Sequence, residues 1–213
     1  KDQNDVSVIK VIGGEPFVTK DFIDMLHAII KNNRAKDTEL IITTNATKFS
    51  NYNVELLNHF KHIRLLISID AIEKQYEYIR HPMPWNKLDA SVRNFKNKIK
   101  TSNEIIITTP VMVLNVLGLD SLADWALSMD ISYIFLDTVK PVSRGIDIQH
   151  LSRSILDTAY TNISKYDNVT GPGLDYMKYM KNSARPNKNK ILMELGVFDK
   201  LRNQKYQDFL PRK

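Results

Sequence analysis

Val6-Ser7-Val8-Ile9-Lys10-Val11-Ile12-Gly13-Gly14-Glu15-Pro16 sets how the rest of this chain is read. An apolar, β-branched run predicts a strand, and it ends in two glycines, a carboxylate and a proline just before a helical pattern. Glycines without Cβ let bare backbone approach a ligand. Glu15 offers two acceptor oxygens to an ammonium group, and Pro16 fixes φ while giving up a donor. Taken alone, the segment also fits an ordinary strand-to-helix turn, so its neighbours carry the argument.

Downstream, Thr19-Lys20-Asp21 supplies a capping residue, and Phe22, Ile23, Met25, Leu26, Ile29 and Ile30 recur at helical spacing up to Asn32-Asn33. Glu39 to Thr44 predicts a buried strand that stops at Asn45-Ala46-Thr47, followed by a short helix from Val54 to Phe60. Ile63 to Asp70 repeats the pattern: an apolar strand whose last residues, Ser68 and Asp70, are polar. Ala71 to Trp85 reads as a long loop rich in aromatic and charged residues, Arg80 and His81 among them. A helix is expected from Trp85 to Lys100, a strand from Glu104 running past Pro110 to Asn115, a helix from Asp120 to Met129, and a last clear strand at Tyr133 to Asp137.

Strands alternating with helices predict a parallel α/β architecture, with strands too continuously apolar to show a period of two. An open doubly wound sheet and a barrel both place ligands at the C-terminal ends of the strands. Gly13 to Glu15, Thr44-Asn45, Ser68, Asp70, Asn115 and Asp137 are then expected on one rim. Beyond Val139 the pattern weakens. Ser152 or Ser154 opens a helix toward Lys165, Gly171-Pro172-Gly173 reads as a turn, and Asn187 to Phe209 as one or two amphipathic helices. The division expected is a main unit over residues 1–145 and a barrel end with helical extension over 146–213.

The 213 residues, 43% hydrophobic and 25% charged, suffice for one sizeable core. No apolar run reaches the roughly 18 residues of a membrane span and no signal peptide is seen, so a cytoplasmic location and no membrane partner are expected. The net charge of +6 is spread along helices rather than gathered in a block. With no cysteine, the chain offers no disulfide, no zinc thiolate and no iron–sulfur ligand. His59 and His62, three apart on an expected helix, read as a surface pair. G-x-S-x-G, P-loop and G-x-G-x-x-G patterns are absent, which counts against hydrolase, P-loop and dinucleotide readings. A zwitterionic ligand with a ribose fits what remains: Glu15 for an ammonium, Ser68 and Asp70 for ribose hydroxyls, Arg80 for a carboxylate.

On these residues the chain resembles the radical S-adenosylmethionine enzymes. VIKVIGGEP is similar to that family's strand and GGEP turn, where Gly13, Gly14, Glu15 and Pro16 would meet the cofactor's amino group. LIITTNAT resembles the next strand, ending at Asn45. LLISIDA resembles the strand whose Ser68 and Asp70 approach the ribose, and EYIRHPMPWNKLDASVRNF the segment after it, with Arg80 toward the carboxylate. The likeness runs from Val6 to about Asn115, and FDKLRNQKYQDFLP at Phe198 to Pro211 is similar to the tail of members with a twitch-type extension. It implies a partial (β/α)6 TIM-like barrel lacking its first strand, with a helical C-terminal extension. It also implies S-adenosylmethionine as cofactor, a 5′-deoxyadenosyl radical that abstracts hydrogen from a peptide, nucleotide or small-molecule substrate, and an electron donor for a 4Fe–4S cluster.

The family's C-x-x-x-C-x-x-C loop, which holds that cluster, has no counterpart here. Because Val6 to Gly14 matches the family's second strand and Lys1 is not a Met, the missing strand, loop and helix are expected before Lys1, with the cluster in the full-length protein only. A twitch-type auxiliary cluster is not expected, and the chain as it stands is expected to be inactive. Two alternatives remain: a degenerate binding or scaffold module without a cluster, and a basic nucleic-acid-binding protein. The latter would use Lys96, Lys98, Lys100 and the Lys178 to Lys190 region, and ranks last because no aromatic–basic interleaving is present.

Overall fold

The computed structural model describes residues 6–138 and 146–208. Six parallel strands follow one another in a single sheet: β1 (Val8–Val11), β2 (Glu39–Thr44), β3 (His62–Ser68), β4 (Ser102–Val111), β5 (Tyr133–Thr138) and β6 (Val169–Thr170). Around them run α1 (Lys20–Lys31), α2 (Asn51–Leu57), α3 (Glu73–Ile79), α4 (Trp85–Lys98), α5 (Leu119–Ser128), α6 (Arg153–Ile163), α7 (Pro172–Ser183) and α8 (Lys188–Arg202). This is the parallel α/β class that the alternation predicts. Two compact units divide the chain, Lys1–Ser68 with Asn86–Ile107 and Ile69–Trp85 with Thr108–Lys213, so β4 belongs to both. The expected boundary at residue 145, and Phe209 of the expected last helix, lie outside the described residues.

In the first unit, the sheet does alternate. Leu40, Ile42 and Thr44 of β2 and Ile63, Leu65 and Ile67 of β3 are buried, while the residues between them are half-buried. The expectation of uniformly buried strands is corrected: apolar residues stand on both faces, yet α1, α2 and α4 cover only one. Phe17, Phe22, Phe49 and Phe95 join in edge and tilted ring contacts 4.9–5.3 Å apart, tying the turn after β1 to α1 and α4. On the less covered face Arg64 of β3 meets Glu104 at 2.6 Å and Glu39 at 3.6 Å. Ser50 caps α2 through Asn53 N–H. Thr19 stands at the N-cap of α1, but its hydroxyl donates to the Pro16 carbonyl at 2.9 Å instead of capping. His59 and His62 share no helix, because α2 ends at Leu57 and His62 opens β3.

The second unit holds the larger departures. The expected loop from Ala71 to Trp85 contains α3, which buries Tyr76 and Tyr78 two residues apart on a single short helix. Its apolar positions are aromatic and interspersed with charge, which hides a helical period over only two turns. β4 stops at Val111 rather than Asn115; the chain then turns, with Asn115 N–H bonded to the Met112 carbonyl at 3.1 Å. Gly171-Pro172-Gly173 is not a free turn but the start of α7: Gly171, at φ +109°, takes the N-cap and Pro172 the first helical position. β6, too short to show a pattern, pairs with β5 just before it. Helix α8 is apolar on two sides rather than amphipathic. Leu195, Ile191 and Phe198 pack with Tyr78, Met112 and Leu114, while Met193, Val197 and Leu201 are exposed. Among the described residues, no helix is long and apolar enough to cross a membrane.

Candidate functional site

Two polar clusters form where strands end, one in each unit. In the first, Gly13 and Gly14 have φ +94° and +57°, conformations open to glycine and strained for other residues, and a Cβ at either would meet nothing within 4 Å. Their backbone faces open space. Directly after them, Glu15 is held from three sides. Its Oε1 accepts from the Thr44 hydroxyl at 2.7 Å and from Phe17 N–H at 3.4 Å, and its Oε2 accepts from Asn45 N–H at 2.8 Å. Thr44 Oγ1 in turn accepts from Ala46 N–H at 2.9 Å. Asn45 turns its side-chain oxygen to Thr47 N–H and hydroxyl at 3.0 and 2.6 Å. Pro16 is buried and opens a short 3-10 turn. Gly13, Gly14, Glu15, Pro16 and Asn45 are thus brought together. A carboxylate oxygen accepts about two hydrogen bonds, so Oε2 keeps capacity for an ammonium donor.

Ser68 closes β3 at the end of the first unit and is half-buried.

The second cluster centres on Asp70, almost fully buried, just past β3. Arg80, at the C-cap of α3, forks onto it: Nη2 donates to Oδ1 at 3.1 Å, and Nε donates to Oδ2. The two side chains pair with each other, and one third of the Arg80 side chain stays exposed. Asn115 is fully buried. Its amide donates to the carbonyls of Asp70 and Pro110, each at 2.9 Å, and its oxygen accepts from Met112 N–H at 2.9 Å. With those bonds made, Asn115 shapes the backbone under Asp70. Tyr76 is buried nearby. Burial pushes its hydroxyl up to about 12, with the Arg80 charge opposing and the Asp70 charge adding to the shift.

The strand-end motifs do not single out Thr109, whose hydroxyl donates to the Ile69 carbonyl, nor the partner of Thr44, which is Glu15. The signal was present: β2 and β4 both read Glu-x-Ile-Ile-Thr-Thr, at Glu39 to Thr44 and Glu104 to Thr109. Among the described residues, no group of three or more His, Cys, Asp or Glu could hold a metal ion.

No family model matches the sequence, and no curated protein matches it. Solved structures do. Streptococcus suis SuiB bound to S-adenosylmethionine is similar over 77% of this chain and 39% of its own, at 16% identity and a TM-score of 0.56. Native anSMEcpe with bound AdoMet is similar over 93% of this chain and 53% of its own, at 12% identity and a TM-score of 0.55. Its complex with AdoMet and the Kp18Cys peptide is similar over 74% and 45%, at 13% identity and a TM-score of 0.54. At these identities the likeness is one of fold: the parallel strands and their helices match a partial TIM-like barrel. The chain spans 39–53% of the length of these proteins.

Proposed function

We propose that this chain is the S-adenosylmethionine-binding portion of a radical S-adenosylmethionine enzyme. The observation that carries the reading is the Glu15 cluster: two glycines with bare backbone facing open space, beside a carboxylate held in place by Thr44 and Asn45 with acceptor capacity to spare. An ammonium group is the ligand such a knot suits, and the fold's S-adenosylmethionine-bound neighbours support the choice. Gly13, Gly14 and Glu15 take the amino group. Ser68 and Asp70 are assigned to the ribose, and the exposed edge of Arg80 to the carboxylate. Asn45 and Asn115 act by holding Glu15 and Asp70 in place.

A 4Fe–4S cluster does not fit the residues present. The sequence has no cysteine, and no metal-holding trio exists among the described residues. No electron-transfer or bond-cleaving step is therefore assigned to this chain, which binds the cofactor without cleaving it. The whole enzyme would add the cluster, its electron donor and a hydrogen-donating substrate, in the cytoplasm. The absence of cysteine equally favours a second reading, a cluster-free module that binds the same ligand as a scaffold.

Equilibrium binding of S-adenosylmethionine to the purified chain tests the proposal. Glu15→Ala and Asp70→Asn are each expected to weaken binding about tenfold, near 1.4 kcal/mol. A chain that ignores S-adenosylmethionine at millimolar concentration sinks both readings. The natural protein's full coding sequence separates them: a C-x-x-x-C-x-x-C loop in it supports the enzyme, and its absence the scaffold.

A further inference from the structure

Glu39-Leu40-Ile41-Ile42-Thr43-Thr44 and Glu104-Ile105-Ile106-Ile107-Thr108-Thr109 share more than letters. Burial falls on the same places in both: Leu40, Ile42 and Thr44 in β2, and Ile105, Ile107 and Thr109 in β4. The second threonine of each strand points into the covered face and is 2% or 0% exposed. A hydroxyl so buried must be hydrogen-bonded. Each one reaches the loop that follows the neighbouring strand. Thr44 donates to Glu15, after β1, and Thr109 donates to the Ile69 carbonyl, after β3.

The first threonines, Thr43 and Thr108, occupy the other, half-buried face. Valine has nearly the shape of threonine and a like preference for strands, so filling the Thr44 and Thr109 sites does not by itself call for a hydroxyl. Each hydroxyl instead fixes the loop that carries an acidic residue, Glu15 directly and Asp70 through the peptide just before it.

We propose that Thr44 and Thr109 are equivalent positioning residues, Thr44 locking the Glu15 carboxylate in the first unit and Thr109 the backbone that carries Asp70 in the second. The assignment rests on the S-adenosylmethionine reading and deepens it. Thr44 fixes the Glu15 carboxylate while also accepting from Ala46 N–H at 2.9 Å, so the turns after β1 and β2 move as one piece. Thr109 does the same for the Ile69–Asp70 backbone together with Asn115, whose amide holds the next carbonyl along at 2.9 Å. Neither threonine needs to touch the ligand. Loss of the Thr44 hydroxyl lets the Glu15 carboxylate sample orientations that do not bind, and loss of the Thr109 hydroxyl lets the peptide before Asp70 shift and carry the acid out of place.

The test uses Thr44→Val and Thr109→Val, with Thr44→Ser and Thr109→Ser as conservative partners that keep the hydroxyl. Each valine variant is expected to bind S-adenosylmethionine about tenfold more weakly, and each serine variant to return within about twofold of the parent chain. Equal binding by parent and valine variants, or no rescue by serine, overturns the assignment. Amide exchange in the ligand-free chain decides the point even if the parent binds no S-adenosylmethionine. Thr44→Val is expected to speed exchange at the Asn45 and Ala46 amides, and Thr109→Val at the Asn115 side-chain amide, each at least about fivefold. Unchanged exchange at those groups overturns the positioning role independently of the ligand.

Discussion

Arg80 and Asp70 lie 10 residues apart, yet the guanidinium of one spans both carboxylate oxygens of the other. Helix α3 makes this possible: it carries the chain away from the end of β3 and sets Arg80 at its C-cap. The Asp70 side chain is 5% exposed and that of Arg80 33%, so the pair is desolvated mainly on the acid's side.

Removing the arginine strands the acid. Arg80→Ala leaves Asp70 buried without its cation and is expected to destabilise the chain by about 2–3 kcal/mol, at the low end for buried pairs because part of Arg80 is solvated. Arg80→Lys keeps the charge but not the fork, and should fall between. Urea unfolding of the three chains measures this; equal midpoints would contradict it.

Asn115 supports three buried bonds at once. Asn115→Ala orphans the Asp70 and Pro110 carbonyls and Met112 N–H, and should cost about 3 kcal/mol. Thermal unfolding gives the number, and a shift of less than about one degree would show that water replaces the amide.

Tyr76 makes stability depend on alkaline pH. Its hydroxyl, pushed up to about 12 chiefly by burial, stays protonated in the folded chain where an unfolded tyrosine ionises near 10. The folded state therefore binds more protons in that window. Tyr76's contribution is fully present below about pH 10 and is lost as pH rises toward about 12. Tyr76→Phe should flatten part of the fall in melting temperature between those limits. An unchanged slope would place the ionisation elsewhere, and Tyr166, raised by burial and by its bond to Asp124, is the next group to examine.

Two glycines in helices give opposite signs for one substitution. A Cβ on Gly173 would lie 2.6 Å from the Asp137 carbonyl oxygen and 2.8 Å from Val111 Cγ2, so Gly173→Ala presses α7 against strand backbone and should destabilise by about 2 kcal/mol. At Gly196 of α8 a Cβ meets nothing within 4 Å, and Gly196→Ala should stabilise by about 0.5–1 kcal/mol. Denaturant midpoints moving in the same direction would refute the contrast.

Much of this fold is legible in local pattern. β2 lies at Glu39 to Thr44 as expected, and α1, α4 and α5 fall within two residues of their apolar periods, because a long one-sided repeat permits few registers. The elements that escaped are short or masked by unusual residues: α3, with tyrosines inside, β6 of two residues, and α7, behind a Gly-Pro-Gly that also spells a turn.

At the site, sequence alone determined the residue types and their places at strand ends, because glycine tolerance of positive φ, carboxylate chemistry and the lack of cysteine are properties of residues taken singly. The tertiary structure decided their partners. Thr44 reaches Glu15 across 29 positions, and Asn115 reaches the Asp70 carbonyl across 45, through parallel strands that bring distant chain ends side by side. A strand pattern of period two says which face a threonine occupies; only the pairing of that strand with its neighbour says which carboxylate its hydroxyl will hold.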